Sequence, residues 1–578
     1  MNIDSLPFSS GLSPMNITGY AFVGDNTNLP ILNTNDTTQV AGSVAYTRGA
    51  HNFKAGVAYV NRHLARNADD LPNGQATFNA APTGHAFASF LLGLPQTMAR
   101  GNSLAMQYMR IYELGAFLQD DWRATSWLTL NLGLRYDYYP TFSEKNDNLT
   151  NVDLAAGKLL VASASGDSRV GLKQDYNNLA PRIGFSATVT PTLVIRGGFG
   201  ITYFPADYQS ATIQLRNSPY YYTYTPNPLT VTIAQGYPAP TQSDPNSPRG
   251  TIIGKDFDWD VASLRQFNVI VQKDLWGNSF SLGYVGSRGR NLVQTIGNIN
   301  VPDPSPAASP ATRRPYLGFW PNVTTVRYSW SKGKSEFDSL QVSFQRRYKA
   351  GLVLNANYTL ADNKDNVLLN AGGTNPYGLM PKQVSTYDWG AAEIDVRHRF
   401  AASANYELPF GKDATAVKAV FLKGWQINAV GYWQSGLPFT VTSNVARINT
   451  TATSDRPNMI KDPKLDNPTI SAWFDTTAFA AQALGTAGDE PRNALYGPPQ
   501  RRIDMSIAKN VSIGRGNLQL RIECYNITNI ANFENPISAI AGYDANGVPL
   551  TTNGFGRITA TAANNIPRQF QFGVKYLF

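Results

Sequence analysis

Apolar and polar residues alternate one by one along much of the chain, which is the period of a two-sided β-sheet and not of a helix. From Trp127 onward, Leu128, Leu130, Leu132, Leu134, Tyr136 and Tyr138 share one face, while Thr129, Asn131, Gly133, Arg135 and Asp137 share the other. The pattern returns in Leu352 to Leu360, in Phe400 to Leu408 and in Leu518 to Cys524. In the closing run, Phe570, Phe572, Val574, Tyr576 and Phe578 oppose Gln569, Gln571, Gly573 and Lys575. Such runs predict strands near residues 38–46, 52–61, 110–122, 127–139, 181–190, 193–204, 265–274, 279–287, 336–348, 351–361, 397–408, 424–434, 502–511, 517–528 and 569–578. A further strand near Asn16 to Gly24 brings the expected number to about 16.

Alternation alone leaves open whether the apolar face meets a protein core or lipid. The connections decide. Short links around Gly49, Thr125, Pro191, Gly277, Ala350, Lys412 and Gly514 take turns with long ones near 62–109, 140–180, 205–264, 288–335, 362–396, 435–501 and 529–568. A soluble sandwich has no reason to gather every long loop at one end, whereas a transmembrane barrel has short periplasmic turns and long extracellular loops. The eleven steps from Trp127 to Tyr138, at about 3.3 Å each and tilted near 45°, span roughly 25 Å, the height of an apolar band between aromatic girdles. The expected fold is all-β, a transmembrane antiparallel up-and-down β-barrel occupying residues 1–578.

Composition agrees. Charged residues make up 15% of the chain and aromatics 12%, with 48 glycines, which suits strands and turns. The longest apolar stretch, Ala86 to Leu94 before Pro95, falls far short of the ~20 residues of a transmembrane helix, and is expected to dock against the barrel. A closed barrel nonetheless satisfies its backbone in lipid. The 49 basic residues exceed the 40 acidic ones by nine, but they are scattered and form no nucleic-acid motif. The one cysteine, Cys524, excludes an internal disulfide and reads as a small packing residue. No basic residue precedes Arg48 and no apolar stretch marks residues 1–30 as an export signal, so an upstream start is expected.

Candidate chemistry is sparse. His51, His63, His85 and His398 are separated by at least 12 residues and read as turn or loop residues without metal-ligand spacing. No cofactor is expected. Asp120 and Asp121 before Trp122 are expected to hydrogen-bond at the rim beside a short turn, and the glycines of "RGGFG" at 196–200 to allow close packing in the sheet. The motifs G-x-S-x-G and H-E-x-x-H are absent, and the S-x-x-K at Ser329 lacks partner motifs, so enzyme activity is not expected. Tyr220, Tyr221, Tyr222, Tyr224 and Trp259, in a long proline-rich loop, are the candidate ligand-contacting aromatics. Loops packing on one another is the competing account of them.

The segments "FLQDDWRATSWLTLNLGLRYDYYP", "LAPRIGFSATVTPTLVIRGGFGITYF", "DVRHRFAASANYELPFG", "GWQINAVGYWQSGLPFTV" and "PRQFQFGVKYLF" together resemble the Oar-like branch of the TonB-dependent receptors, over essentially the whole chain. The resemblance implies a cleavable signal, a carboxypeptidase-regulatory-like domain and a plug ahead of a barrel of about 22 strands, none of the first three being visible in the sequence. It also implies that Phe570, Phe572, Val574, Tyr576 and Phe578 form the C-terminal outer-membrane assembly signal. Expected partners are outer-membrane lipid, the barrel-assembly machinery, the TonB complex through an N-terminal region absent from the sequence, and an unidentified bulky ligand taken up or exported. Two competing accounts are a passive porin-like channel, from the count of about 16 strands, and a soluble secreted carbohydrate-binding β-protein.

Overall fold

The computed structural model describes residues 11–68, 71–104, 106–205, 216–224, 232–237, 243–307, 309–367, 387–411 and 413–578. Among these, fifteen long strands form one wall: β1 (Ile31–Arg48), β2 (His51–Ala68), β3 (Gln107–Arg123), β4 (Leu128–Tyr138), β5 (Leu179–Thr190), β6 (Leu193–Phe204), β7 (Ala262–Leu275), β8 (Asn278–Ile296), β9 (Val323–Lys349), β10 (Leu352–Asp365), β11 (His398–Glu407), β12 (Trp425–Gln434), β13 (Gln500–Ile513), β14 (Gly516–Tyr525) and β15 (Gln569–Leu577). Each pairs antiparallel with the next, from β1 through to β15. This is an up-and-down meander of outer-membrane β-barrel type, and all fifteen alternating runs appear in it.

Short and long links alternate without exception. One of several two-residue turns places Trp276 and Gly277 between the paired Leu275 and Asn278, both with positive φ (54° and 79°), a combination whose twist matches the flanking strands. Trp276 is 82% exposed at the tip. The link at Lys412, a residue outside the described ones, includes a short helix, Ala416–Leu422.

The strands run longer than their apolar periods. β1 and β2 have 18 residues each and β9 has 27, because their hairpins continue beyond the lipid band on the long-loop side, where Val323 and Val326 of β9 join a core. The strand expected near Asn16 to Gly24 is not part of the wall. Met15–Ile17 pairs parallel with Gln75–Phe78 in a separate small sheet with Thr97–Ser103 and Tyr221–Tyr224. Alternation over so few residues does not identify the partner strand.

Hydrophobic cores lie in the long links and the strand extensions that meet them. One joins Val152, Ile252, Ile299, Trp320 and Val326; another joins Met109, Ile111, Phe142, Leu149 and Val170; a third joins Phe439, Val441, Phe474, Phe479, Leu495 and Phe555. The fourth contains Ile17, Ala76, Phe78 and Met98, and it receives the helix Ala86–Leu91 through Ala86 and Phe90. That apolar segment thus docks on the small sheet and not on the barrel wall as expected, since Phe78 offers Phe90 an edge-to-face partner at 5.3 Å. The long links therefore form a folded cap over one end of the wall.

Candidate functional site

Register separates the two faces of the wall. Leu118, Leu134, Ile183, Leu282, Ile522 and Phe572 point outward and are 48–75% exposed to the surroundings, where the sequence predicts lipid. Cys524 is a free, buried thiol within this wall. On the inward face, Gly133 of β4 lies opposite Gln119 of β3 and Arg182 of β5. Arg182 in turn pairs with Gly200 of β6, which faces Gln266 of β7. A cavity of about 680 Å³ opens along this inward face, bordered by Lys54, Gln119, Arg135, Arg182, Gln266 and Asn268.

Local geometry fixes some of these groups. Asp121 accepts hydrogen bonds from Gln119 at 3.0 Å and Asn131 at 2.6 Å, and Asp137 pairs with Arg135 at 2.6 Å. Asp120 pairs with His51 at 2.7 Å beside the first turn, so both members of the aspartate doublet bond at the rim as expected. His51 stacks between Phe53 and Trp122. His63 and His398, expected in turns or loops, lie within β2 and β11. The Tyr358 hydroxyl lies 2.8 Å from the His398 ring, and a strand position suits a ring that has such a partner. Of the "RGGFG" glycines, Gly197 packs closely, with the Phe185 ring where a Cβ would be, but Gly198 and Gly200 face the cavity instead.

The cap holds a second group of sites. Tyr220 bonds Ser163 at 2.7 Å, and Tyr221–Tyr224 form the strand against Thr97–Ser103. Tyr220, Tyr221 and Tyr224 are half-buried, whereas Tyr222 and Trp259 are buried, the latter with the Lys255 ammonium 3.5 Å from its ring centre. A cavity of about 700 Å³ lies between Met459, Leu465, Trp473, Phe474 and Tyr496. The Trp473 indole donates to the Tyr496 carbonyl at 2.9 Å, and the Tyr496 hydroxyl donates to Asp395 at 2.7 Å. Burial and the neighbouring Asp395 carboxylate raise the Tyr496 phenol above its usual range.

Two buried arginines fasten the cap. Arg456 pairs with Asp388 at 3.2 Å and stacks 3.5 Å from the centre of the Tyr387 ring. Arg492 reaches Asp365 at the end of β10 at 2.6 Å and donates to the Asp388 carbonyl at 3.2 Å. Beside them, burial pushes the Glu490 carboxyl up to about 8, against the smaller opposing pull of the Val441 amide and the Arg456 charge. Sequence reading missed these residues because they carry no periodic or motif signal. The inward residues of the wall did carry one, as the polar members of each alternating strand. Among the described residues no cluster of three or more His, Cys, Asp or Glu is suited to a metal.

The family model of the outer membrane beta barrel domain matches residues 2–571. No curated protein matches the chain. Among solved structures, the chain is similar to the outer membrane transporter YddB from Escherichia coli, with 11% identity, a TM-score of 0.47, and 95% of this chain and 54% of that one covered. It is similar also to FpvA of P. aeruginosa bound to a heterologous pyoverdine, with 9% identity, a TM-score of 0.46 and 94% and 48% covered. For the siderophore receptor PiuA from Acinetobacter baumannii the values are 12%, 0.44, 94% and 56%. The chain spans about half the length of these proteins. With an apolar face turned outward, polar groups turned inward and a family model matching nearly its full length, the chain belongs to the outer membrane β-barrel domain family and resides in the bacterial outer membrane.

Proposed function

We propose that this barrel belongs to an Oar-like TonB-dependent transporter and carries a bulky ligand across the outer membrane. The observation that carries the reading is the pairing of a polar, roomy inner wall with a cap whose long links are folded around their own cores. A cap of that kind holds a receiving surface in place, which a simple diffusion pore does not require. Tyr220, Tyr221 and Tyr224, which keep part of their rings uncovered, are assigned to ligand contact, and Tyr222 and Trp259 to their support. Phe578, with Phe570, Phe572, Val574 and Tyr576 on the same strand face, is assigned to recognition by the assembly machinery; Phe578→Asp is expected to lower outer-membrane insertion with synthesis unchanged.

A passive channel is the second reading, favoured by the number of wall strands among the described residues, fifteen, close to a porin's 16. Conductance of the purified chain in planar bilayers separates the two. The transporter reading expects no steady open pore, and a stable ohmic conductance would establish the passive channel in its place.

A further inference from the structure

The inward cavity has an unusual floor. Glycines in strand interiors weaken a sheet unless something approaches the backbone closely. Other strand glycines of this wall are filled by a neighbour, since a Cβ on Gly56 would come 2.6 Å from the Phe117 ring and one on Gly115 2.3 Å from Arg135, or, like Gly42 and Gly573, are open but stand singly. At Gly133, Gly184, Gly198 and Gly200 a Cβ would meet nothing nearer than 3.4 Å. The wall itself does not use the room these four leave. They adjoin one another across β4, β5 and β6.

Charge is distributed unevenly around that floor. The residues bordering the cavity include Lys54, Arg135 and Arg182 and no carboxylate. Arg135 is already paired with Asp137, but Lys54 and Arg182 are exposed and have no acidic partner among the described residues. At the far end, the Gln266 and Asn268 amides have no side-chain hydrogen bond among the described residues. The cavity crosses six strands from Lys54 on β2 to Asn268 on β7, so at about 4.8 Å per strand it extends roughly 24 Å. That shape fits an extended chain better than a compact ion.

We propose that this trough docks an acidic peptide segment in extended form. Its backbone lies on the glycine floor, its carboxylates meet Lys54 and Arg182, and its peptide groups bond Gln266 and Asn268. The site needs only the wall, so it stands equally for an energised transporter and for a passive channel.

The test is fluorescence anisotropy of the full chain in detergent micelles with a labelled hexapeptide of alternating Glu and Gly. Binding is expected, weakened roughly tenfold by Arg182→Glu and reduced by added salt. Gly184→Val with Gly198→Val, which fills the floor without altering charge, is expected to weaken binding comparably. Heat-modifiable gel migration verifies that each variant is folded, and the milder Gly184→Ala with Gly198→Ala serves if the valine pair does not fold. Absence of binding, equal binding of a Lys–Gly peptide, or competition by inorganic phosphate as effective as by the unlabelled peptide would each overturn the proposal. So would unchanged affinity in the floor-filled variant.

Discussion

The wall and the cap use apolar side chains in opposite ways. Val44 and Phe572 on the wall are 74% and 75% exposed, while Val152 and Val441 in the cap are 0% exposed. The same residue types therefore serve two solvents. On the wall the bilayer covers them, and the sheet is held by its hydrogen-bonded ladder, since lipid offers no partner for an unpaired backbone group. In the cap water drives them together into separate clusters, at about 25 cal/mol per Å² of apolar surface removed. The wall thus tolerates an empty interior, and the cap requires a filled one.

That contrast can be broken at named residues. The largest effect is expected in the cap: Arg492→Ala leaves Asp365 without its partner, and losing one member of a buried pair costs about 3–5 kcal/mol. Faster proteolysis of residues 435–499 with an intact, heat-modifiable barrel would confirm it, and unaltered protection would show that the pair does not hold the cap. Next come adjacent positions on opposite faces of β4. Leu132→Arg places a charge near the middle of the lipid band, at about 2–4 kcal/mol, whereas Asn131→Arg on the inward face is expected to cost far less. Equal denaturant midpoints for the two variants would refute the assignment of faces.

The most gradual effect, spread over several pH units, concerns Glu490. Burial raises its carboxyl to about 8 from 4.5, so the neutral form is favoured in the folded cap. The associated stability is complete below about pH 4.5 and is lost as pH rises through about 8, with a slope of at most about 1.4 kcal/mol per unit. Hydrogen exchange of the cap amides is expected to accelerate over that window, and Glu490→Gln to flatten the profile. A wild-type profile without slope would contradict the burial argument.

The wall was legible in the sequence because its two determinants are local. Period-two alternation fixes the face of each residue, as in Leu128 to Tyr138, and the alternation of short and long links fixes the side of the membrane. The cap was not legible for the converse reason. Arg456 and Arg492 looked like scattered charges, and nothing near them in sequence announces Asp388, 68 residues before Arg456. The Asn151 amide likewise bonds the Lys255 backbone across 104 positions. The extent of β9 was underestimated because its extension, Val323 to Lys334, packs partly on the cap and loses the lipid-facing period. The inward trough lay between these cases: its residues were visible as the polar positions of each strand, but only the register sets Gly133 and Gly200 on either side of Arg182 and Gly184 beside Gly198.

One cap cluster gathers Val152, Ile252, and Ile299 with Trp320 from three links that leave the wall at different points. Modular exchange of a single surface loop, the simplest evolutionary route to a new specificity, would strip that knot of one of its strings. Diversification of this surface is then expected to proceed by coordinated changes in several loops, or at residues such as Tyr220 that lie outside the knot.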